Sequence, residues 1–182
     1  MSSSLLPQPH PSFLSYQEGC NWYALATMSR HERFVAHQLE GHRLSAFLPS
    51  KIEIHRWSDR RKRVEVPLFP GYVFLHVLMS AEIRRMATCL RGSVGFVTMH
   101  GQPVPIPHEQ IETVQKLVVK NVPCAAYGYL KTGQRVRICS GALNGTEGLL
   151  LRIHGNKKLV ISIDGISRSL AVHIDGYDIE AV

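Results

Sequence analysis

Two regimes of apolar spacing divide this chain. Asn21-Trp-Tyr-Ala-Leu-Ala-Thr27 reads as a buried first strand. Ser29-Arg-His-Glu32 then has the spacing of a capping box, in which the Ser29 hydroxyl would accept from the third helical amide while Glu32 reaches back. Phe34, Val35 and Leu39 give the following helix an apolar side, and Gly41 is a natural stop. From Leu44 to Val77 the period falls to two. Ile52 and Ile54, then Val64 and Val66, flank the charged stretch Arg56-Trp-Ser-Asp-Arg-Arg-Lys-Arg63, which reads as a hairpin tip. Leu68-Phe-Pro-Gly-Tyr-Val-Phe-Leu75 is apolar enough to be a strand covered on both faces.

Helical period returns after Ser80, a capping residue, with Ile83, Met86, Ala87 and Leu90 on one side and Gly92 at the end. Val94-Gly-Phe-Val-Thr98 predicts another short strand. Pro107 opens a third helix that turns Ile111, Val114, Leu117 and Val118 inward. Residues 21–119 are therefore an α+β domain, an antiparallel sheet backed by helices. Helical period is lost over 120–130, where Pro123 and Gly128 mark a linker. Beyond it, residues 131–182 hold five short alternating runs (134–139, 148–153, 158–163, 167–173 and 177–181), as in a small closed barrel. Asp164-Gly165 and His154-Gly-Asn156 supply turns.

Composition sharpens this picture. Residues 1–20, rich in Ser and Pro, read as a disordered tail without the basic start and apolar stretch of a signal peptide. No apolar run reaches the roughly 18 residues that a membrane helix needs, so a cytoplasmic protein is expected. Cys20, Cys89, Cys124 and Cys139 form no C-x-x-C pair, and no histidine joins them in metal-ligand spacing. Net charge is +7, with 14 basic and 9 acidic residues up to Lys120 and 7 and 5 beyond it, which favours a polyanion among the partners. Five cations, Arg56, Arg60, Arg61, Lys62 and Arg63, crowd the hairpin tip around Trp57 against a lone Asp59. Cations beside a planar ring suit phosphate contact with base stacking, and Arg30 and His31 are further candidates for that surface.

Three segments in order carry a family resemblance. Trp22-Tyr23 followed by a helix, Phe69-Pro-Gly-Tyr-Val-Phe74, and Gly133-Gln-Arg-Val-Arg-Ile138 with Gly141-Ala-Leu-Asn-Gly-Thr-Glu-Gly148 resemble the NGN domain and the KOW motif of NusG-family transcription elongation factors. Arg91-Gly-Ser-Val-Gly-Phe-Val97 falls where the family turns from helix to strand. The resemblance implies an NGN domain joined by its linker to a five-stranded, SH3-like KOW barrel. It implies a monomer without cofactor or metal that binds the clamp helices of the RNA polymerase largest subunit through an apolar concavity. Phe69, Tyr72, Phe74 and Tyr23 are the positions it assigns there, as an exposed aromatic patch. It also implies contact with the non-template DNA strand near the upstream fork, and a barrel that recruits ribosomal protein S10 or Rho through the loop bearing Leu143, Asn144 and Thr146. Family members carry aromatics where Leu143 and Thr146 stand, so the departure favours a specialised antiterminator of the RfaH or UpxY type.

Other readings remain open at this level. An enzyme is disfavoured because H-E-x-x-H, G-x-x-x-x-G-K-[ST] and G-x-S-x-G are all missing, and His76, His100, His154 and His173 read as makers of local hydrogen bonds. A KOW-type RNA- or ribosome-binding module would not need the helical domain around Phe69-Pro-Gly-Tyr72. A housekeeping NusG supporting Rho-dependent termination differs only in which partner the barrel takes.

Overall fold

The computed structural model describes residues 19–56, 61–128, 133–153 and 156–182; the tail expected over 1–20 falls almost wholly outside them. In chain order the first half runs β1 (Asn21–Thr27), α1 (Glu32–Gly41), β2 (Ser45–Phe47), β3 (Ser50–Arg56), β4 (Arg61–Pro67) and β5 (Tyr72–Val77). It continues with α2 (Ala81–Cys89), β6 (Ser93–Phe96), the two-residue strands β7 (Thr98–Met99), β8 (Gln102–Pro103) and β9 (Pro105–Ile106), and α3 (His108–Val119). Strands order as β2-β5-β1-β6, with β9 also pairing β1. Alternation sorts the side chains of this sheet into two layers. Tyr23, Leu25, Val73 and Leu75 pack with Val35 and Leu39 of α1 and Ala87 of α2. Trp22, Ala24 and Phe74 face the other way, toward Ile111, Val114 and Leu117 of α3.

Local signals account for most boundaries. The Ser80 hydroxyl accepts from the Ile83 amide at 3.1 Å and starts α2 as expected. At α1 the expected capping box does not form. The helix starts at Glu32 without a side-chain cap, because Arg30 adopts a left-handed φ of 64° that turns the chain sharply ahead of the helix. Glu32, buried in the structure, turns to another partner described below. Phe34, expected inside, is exposed.

The second half comprises β10 (Cys124–Tyr127), β11 (Gln134–Ile138), β12 (Glu147–Ile153), β13 (Asn156–Ile163), β14 (Arg168–His173) and β15 (Ile179–Ala181). All five expected strands are there. A sixth, β10, lies within the stretch read as a linker and pairs with β14, giving the order β10-β14-β13-β12-β11-β15. Gly148 explains one glycine of the motif: a Cβ there would stand 2.6 Å from the Val160 carbonyl oxygen, where β12 crosses close to β13. Among the described residues no helix is long and apolar enough to cross a membrane.

The two halves touch. Helix α3 packs on β13, and β9 meets the short 3-10 turn Asp164–Ile166 that joins β13 to β14. Gln110 donates from Nε2 to Asp164 at 2.9 Å and accepts from the Asp164 amide at 3.2 Å. Lys120 donates to the Ala142 carbonyl.

Candidate functional site

Phe69-Pro-Gly-Tyr72 is a tight turn built by its sequence. The Tyr72 amide donates to the Phe69 carbonyl at 3.2 Å, Pro70 occupies the second position, and Gly71 takes the positive φ (84°) that the third position of a type II turn requires. Gly71 is held from both sides. Its amide donates to the Glu32 carboxylate at 2.8 Å, and its carbonyl accepts from the Thr27 amide at 2.8 Å. The bond from Gly71 to Glu32 is not legible in the sequence, because the spacing of Glu32 from Ser29 fits a cap equally well. The start of α1 and the end of β1 thus fix where Tyr72 leaves the turn.

Beyond the turn, rings follow one another across the sheet face. Phe69 meets Phe74 edge-on with centroids 5.7 Å apart. Phe47 lies 6.4 Å from Phe74 and 6.1 Å from Trp22, and Trp22 lies 4.9 Å from His76. The patch expected from Phe69, Tyr72, Phe74 and Tyr23 is not exposed. Phe69 and Phe74 are core residues, 3% and 0% accessible. Tyr23 is buried on the opposite face, edge-on to Phe96, since it sits opposite Leu75 in a register where parity decides the face. Tyr72 alone stays half-buried at the margin of this layer.

Strands β3 and β4 form a two-stranded ribbon separate from the main sheet, paired from Ser50↔Pro67 to Arg56↔Arg61. Trp57, Asp59 and Arg60, expected at its tip, lie outside the described residues, as do the side chains of Arg56, Arg61 and Lys62. Arg63 is exposed, as are Ile52 and Ile54. An ion pair from Arg33 to Glu65 ties α1 to the ribbon, so Arg30 and His31 at the start of α1 stand on the element that flanks it. Arg30 is exposed. The His31 Nδ1–H donates to the Ser29 carbonyl at 3.0 Å, and its ring lies over Gly92, where an added Cβ would come within 2.9 Å. Met28 just after β1, Phe34 of α1 and Val94 of β6 add exposed apolar surface.

On the barrel, Leu143 and Thr146 are buried, 1% and 2% accessible, and only Asn144 of the three expected docking residues is exposed. Leu143 turns inward from a short 3-10 turn (Gly141–Leu143) that caps the barrel core. No group of three His, Cys, Asp or Glu side chains converges as a metal site among the described residues.

Fold and site together define a two-domain α+β protein: a helix-backed sheet with an aromatic layer and a basic ribbon, followed by a small β-barrel. The family model described as "Transcription termination factor nusG" matches residues 20–115, and the chain belongs to the NusG family. It is 26% identical over 195 residues to the transcription termination/antitermination protein NusG of Lactococcus lactis, covering 94% of this chain and 97% of that protein. Against the NusG of Staphylococcus epidermidis, identity is 27% over 175 residues, covering 87% and 94%. The solved structure titled "Domain interaction in Thermotoga maritima NusG" shares the fold, with a TM-score of 0.52 and 23% identity over 90% of this chain and 97% of that one.

Proposed function

We propose that this NusG-family protein acts in transcription by riding on RNA polymerase, docking its N-terminal domain on the clamp helices of the largest subunit at the edge marked by Tyr72. One observation carries this reading: the Phe69–Tyr72 turn is clamped by Glu32 and Thr27, so Tyr72 is presented at a fixed place beside an aromatic layer. A half-buried tyrosine on a rigid support is a good anchor for a partner helix, apolar in body and polar at its tip. Phe69 and Phe74 then act as its floor and need not touch the partner.

The basic ribbon, with Arg30 and His31, would lie toward the non-template strand at the upstream fork, where phosphates meet cations. Binding the elongating form of the polymerase better than the paused form shifts that equilibrium; a differential affinity of about 1.4 kcal/mol changes pause occupancy roughly tenfold. With Leu143 and Thr146 inside the barrel, the loop offers Asn144 in place of an apolar knob for Rho or S10. That supports a specialised antiterminator over a housekeeping factor. The test is single-round transcription with the cognate polymerase over pause sites and a Rho-dependent terminator. Shortened pauses with readthrough are expected, and Tyr72→Ala should abolish both the effect and polymerase binding while leaving the domain folded. Earlier release by Rho, or normal binding by the folded variant, overturns the reading.

A further inference from the structure

Strand β14 carries the burial of a central strand. Ser169, Leu170, Ala171 and Val172 are buried in succession, so side chains on both of its faces are covered. The hydrogen-bonding edge of such a strand, left bare, is a template for pairing with another chain. Strand β13 takes one edge. The other is taken by β10, which comes from the connection between the two halves and ends the sheet.

β10 is a weak strand for that place. Its sequence is Cys-Ala-Ala-Tyr, alanine is depleted in strands, and Ala125 and Ala126 are both exposed. Strands β11 to β15 form a continuous ladder without it. In register, Cys124 and Ala126 stand opposite Val172 and Leu170, which belong to the core joining α3 to the barrel. Ala125 and Tyr127 stand opposite Ala171 and Ser169 on the other face. The resident strand therefore sets its smallest apolar side chain beside Leu170, and a larger one there would cover more apolar surface.

Opening β10 does not part the two halves. Ile111, Val114 and Leu117 of α3 share one buried cluster with Leu159, Ile161 and Leu170, and β10 packs on that cluster through Cys124, at its front end. The same end is held from outside, where Lys51 of β3 donates to the Cys124 carbonyl at 3.3 Å. Opening accordingly runs back from Tyr127 and leaves α3 on the barrel.

We propose that the edge of β14 is a strand-addition site held here by the chain's own linker: an extended segment of a partner protein, with apolar side chains at alternate positions, pairs with β14 in place of β10. Main-chain ladder bonds would supply the affinity, and the side chains set beside Val172 and Leu170 the selectivity. β-branched residues at those two positions outcompete the resident pair, and β10 acts as a built-in competitor that keeps the edge covered until such a segment arrives. The site is independent of polymerase docking.

Two measurements on the full chain test this. In native-state hydrogen exchange, the amides of Ala125, Ala126 and Tyr127 should exchange roughly a hundredfold faster than those of Leu159, Val160 and Ile161, through local opening with the barrel still folded. The second is an NMR titration with a synthetic peptide of the chain's own segment 122–128 carrying Ala125→Val and Ala126→Val. Its apparent affinity scales with the fraction of molecules whose β10 is open. Ala125→Gly with Ala126→Gly in the protein raises that fraction about tenfold and should tighten peptide binding as much. Ala125→Val with Ala126→Val in the protein should weaken it. Amide shifts should centre on β14, with those of α3 unmoved. Exchange in β10 as slow as in β13, no peptide binding by the glycine pair, one affinity for all three proteins, or shifts away from β14 would each overturn the proposal. Self-association of the glycine pair in place of peptide capture would make the occupant a second copy of this chain, and would overturn the choice of partner.

Discussion

Replacing Glu32 tests the support beneath Tyr72 directly. Its carboxylate is 6% accessible as a residue and accepts from the Gly71 amide at 2.8 Å. Glu32→Ala strands that amide inside a turn whose φ of 84° already restricts it to glycine. Losing a charge-assisted bond costs about 1.5–3 kcal/mol, and the one methylene removed from a buried site adds roughly 0.8 kcal/mol. A destabilisation of about 2–4 kcal/mol follows, a Tm drop on the order of 10 °C for a chain of this length. Glu32→Gln keeps an acceptor oxygen but not the charge, and charge-assisted bonds are roughly twice as strong as neutral ones. It should cost about half as much. The assay is urea unfolding of the three proteins in parallel, followed by polymerase binding at a temperature where all are folded. Glu32→Ala should bind more weakly than Glu32→Gln because the turn that aims Tyr72 has lost one of its two anchors. If both variants unfold at the wild-type midpoint, the turn is not held by Glu32 and the argument for a fixed Tyr72 fails.

Three further outcomes follow from the geometry. Gly148→Ala drives a methyl group to 2.6 Å from a backbone oxygen and should destabilise the barrel by about 2–3 kcal/mol; an unchanged unfolding midpoint would show that β12 and β13 can part at no cost. The Thr146 hydroxyl is buried without a hydrogen-bond partner among the described residues, so Thr146→Val should raise stability by about 1 kcal/mol, and a loss of stability would reveal a bridging water. Replacing Arg60, Arg61 and Arg63 with Ala should flatten the salt dependence of binding to a transcription complex, by nearly one unit of log–log slope for each phosphate no longer neutralised. A slope equal to wild type assigns the ribbon no phosphate.

The element map was legible because it rests on local chemistry. Ser80 caps α2, Pro107 opens α3, and the period of Ile111, Val114 and Leu117 matches the face that is buried. Where two local signals compete, the sequence could not arbitrate. Ser29 and Glu32 have cap spacing, but whether they cap depends on the left-handed φ of Arg30, which side-chain identity does not reveal. Strand β10 was hidden because Cys-Ala-Ala-Tyr carries little β-propensity of its own and owes its pairing to the open edge of β14. The candidate site was the least legible part. Phe69, Phe74 and Tyr72 share one spacing whether they line a docking face or a core, and only the placement of α3 over the sheet separates them. For Tyr23, counting parity from Tyr72 required the β1–β5 register, which no single strand encodes.

That same placement sets a condition on any partner of the aromatic layer. Helix α3 already covers the Trp22–Phe74 side of the sheet, and the barrel rests on α3, so a partner helix either engages the free margin at Tyr72 or acts on a protein whose barrel has moved. The second route must part a shared core, because Ile111, Val114 and Leu117 of α3 lie in one buried cluster with Leu159, Ile161 and Leu170 of the barrel. The polar clasps around it, Gln110–Asp164 and Lys120 to Ala142, are exposed to water. Exposed hydrogen bonds of this kind contribute little each, so the apolar core sets most of the cost. To carry a chain that is 99% closed to 99% open, a partner must favour the open form by about 5.5 kcal/mol, well within what one well-packed aromatic anchor and its surroundings supply. Gln110→Ala should reduce that requirement without touching the sheet, and so strengthen partner binding while leaving the N-terminal domain's own stability unchanged. Weaker binding by Gln110→Ala would mean that the barrel is part of the docking face, and that the closed form is the one the partner recognises.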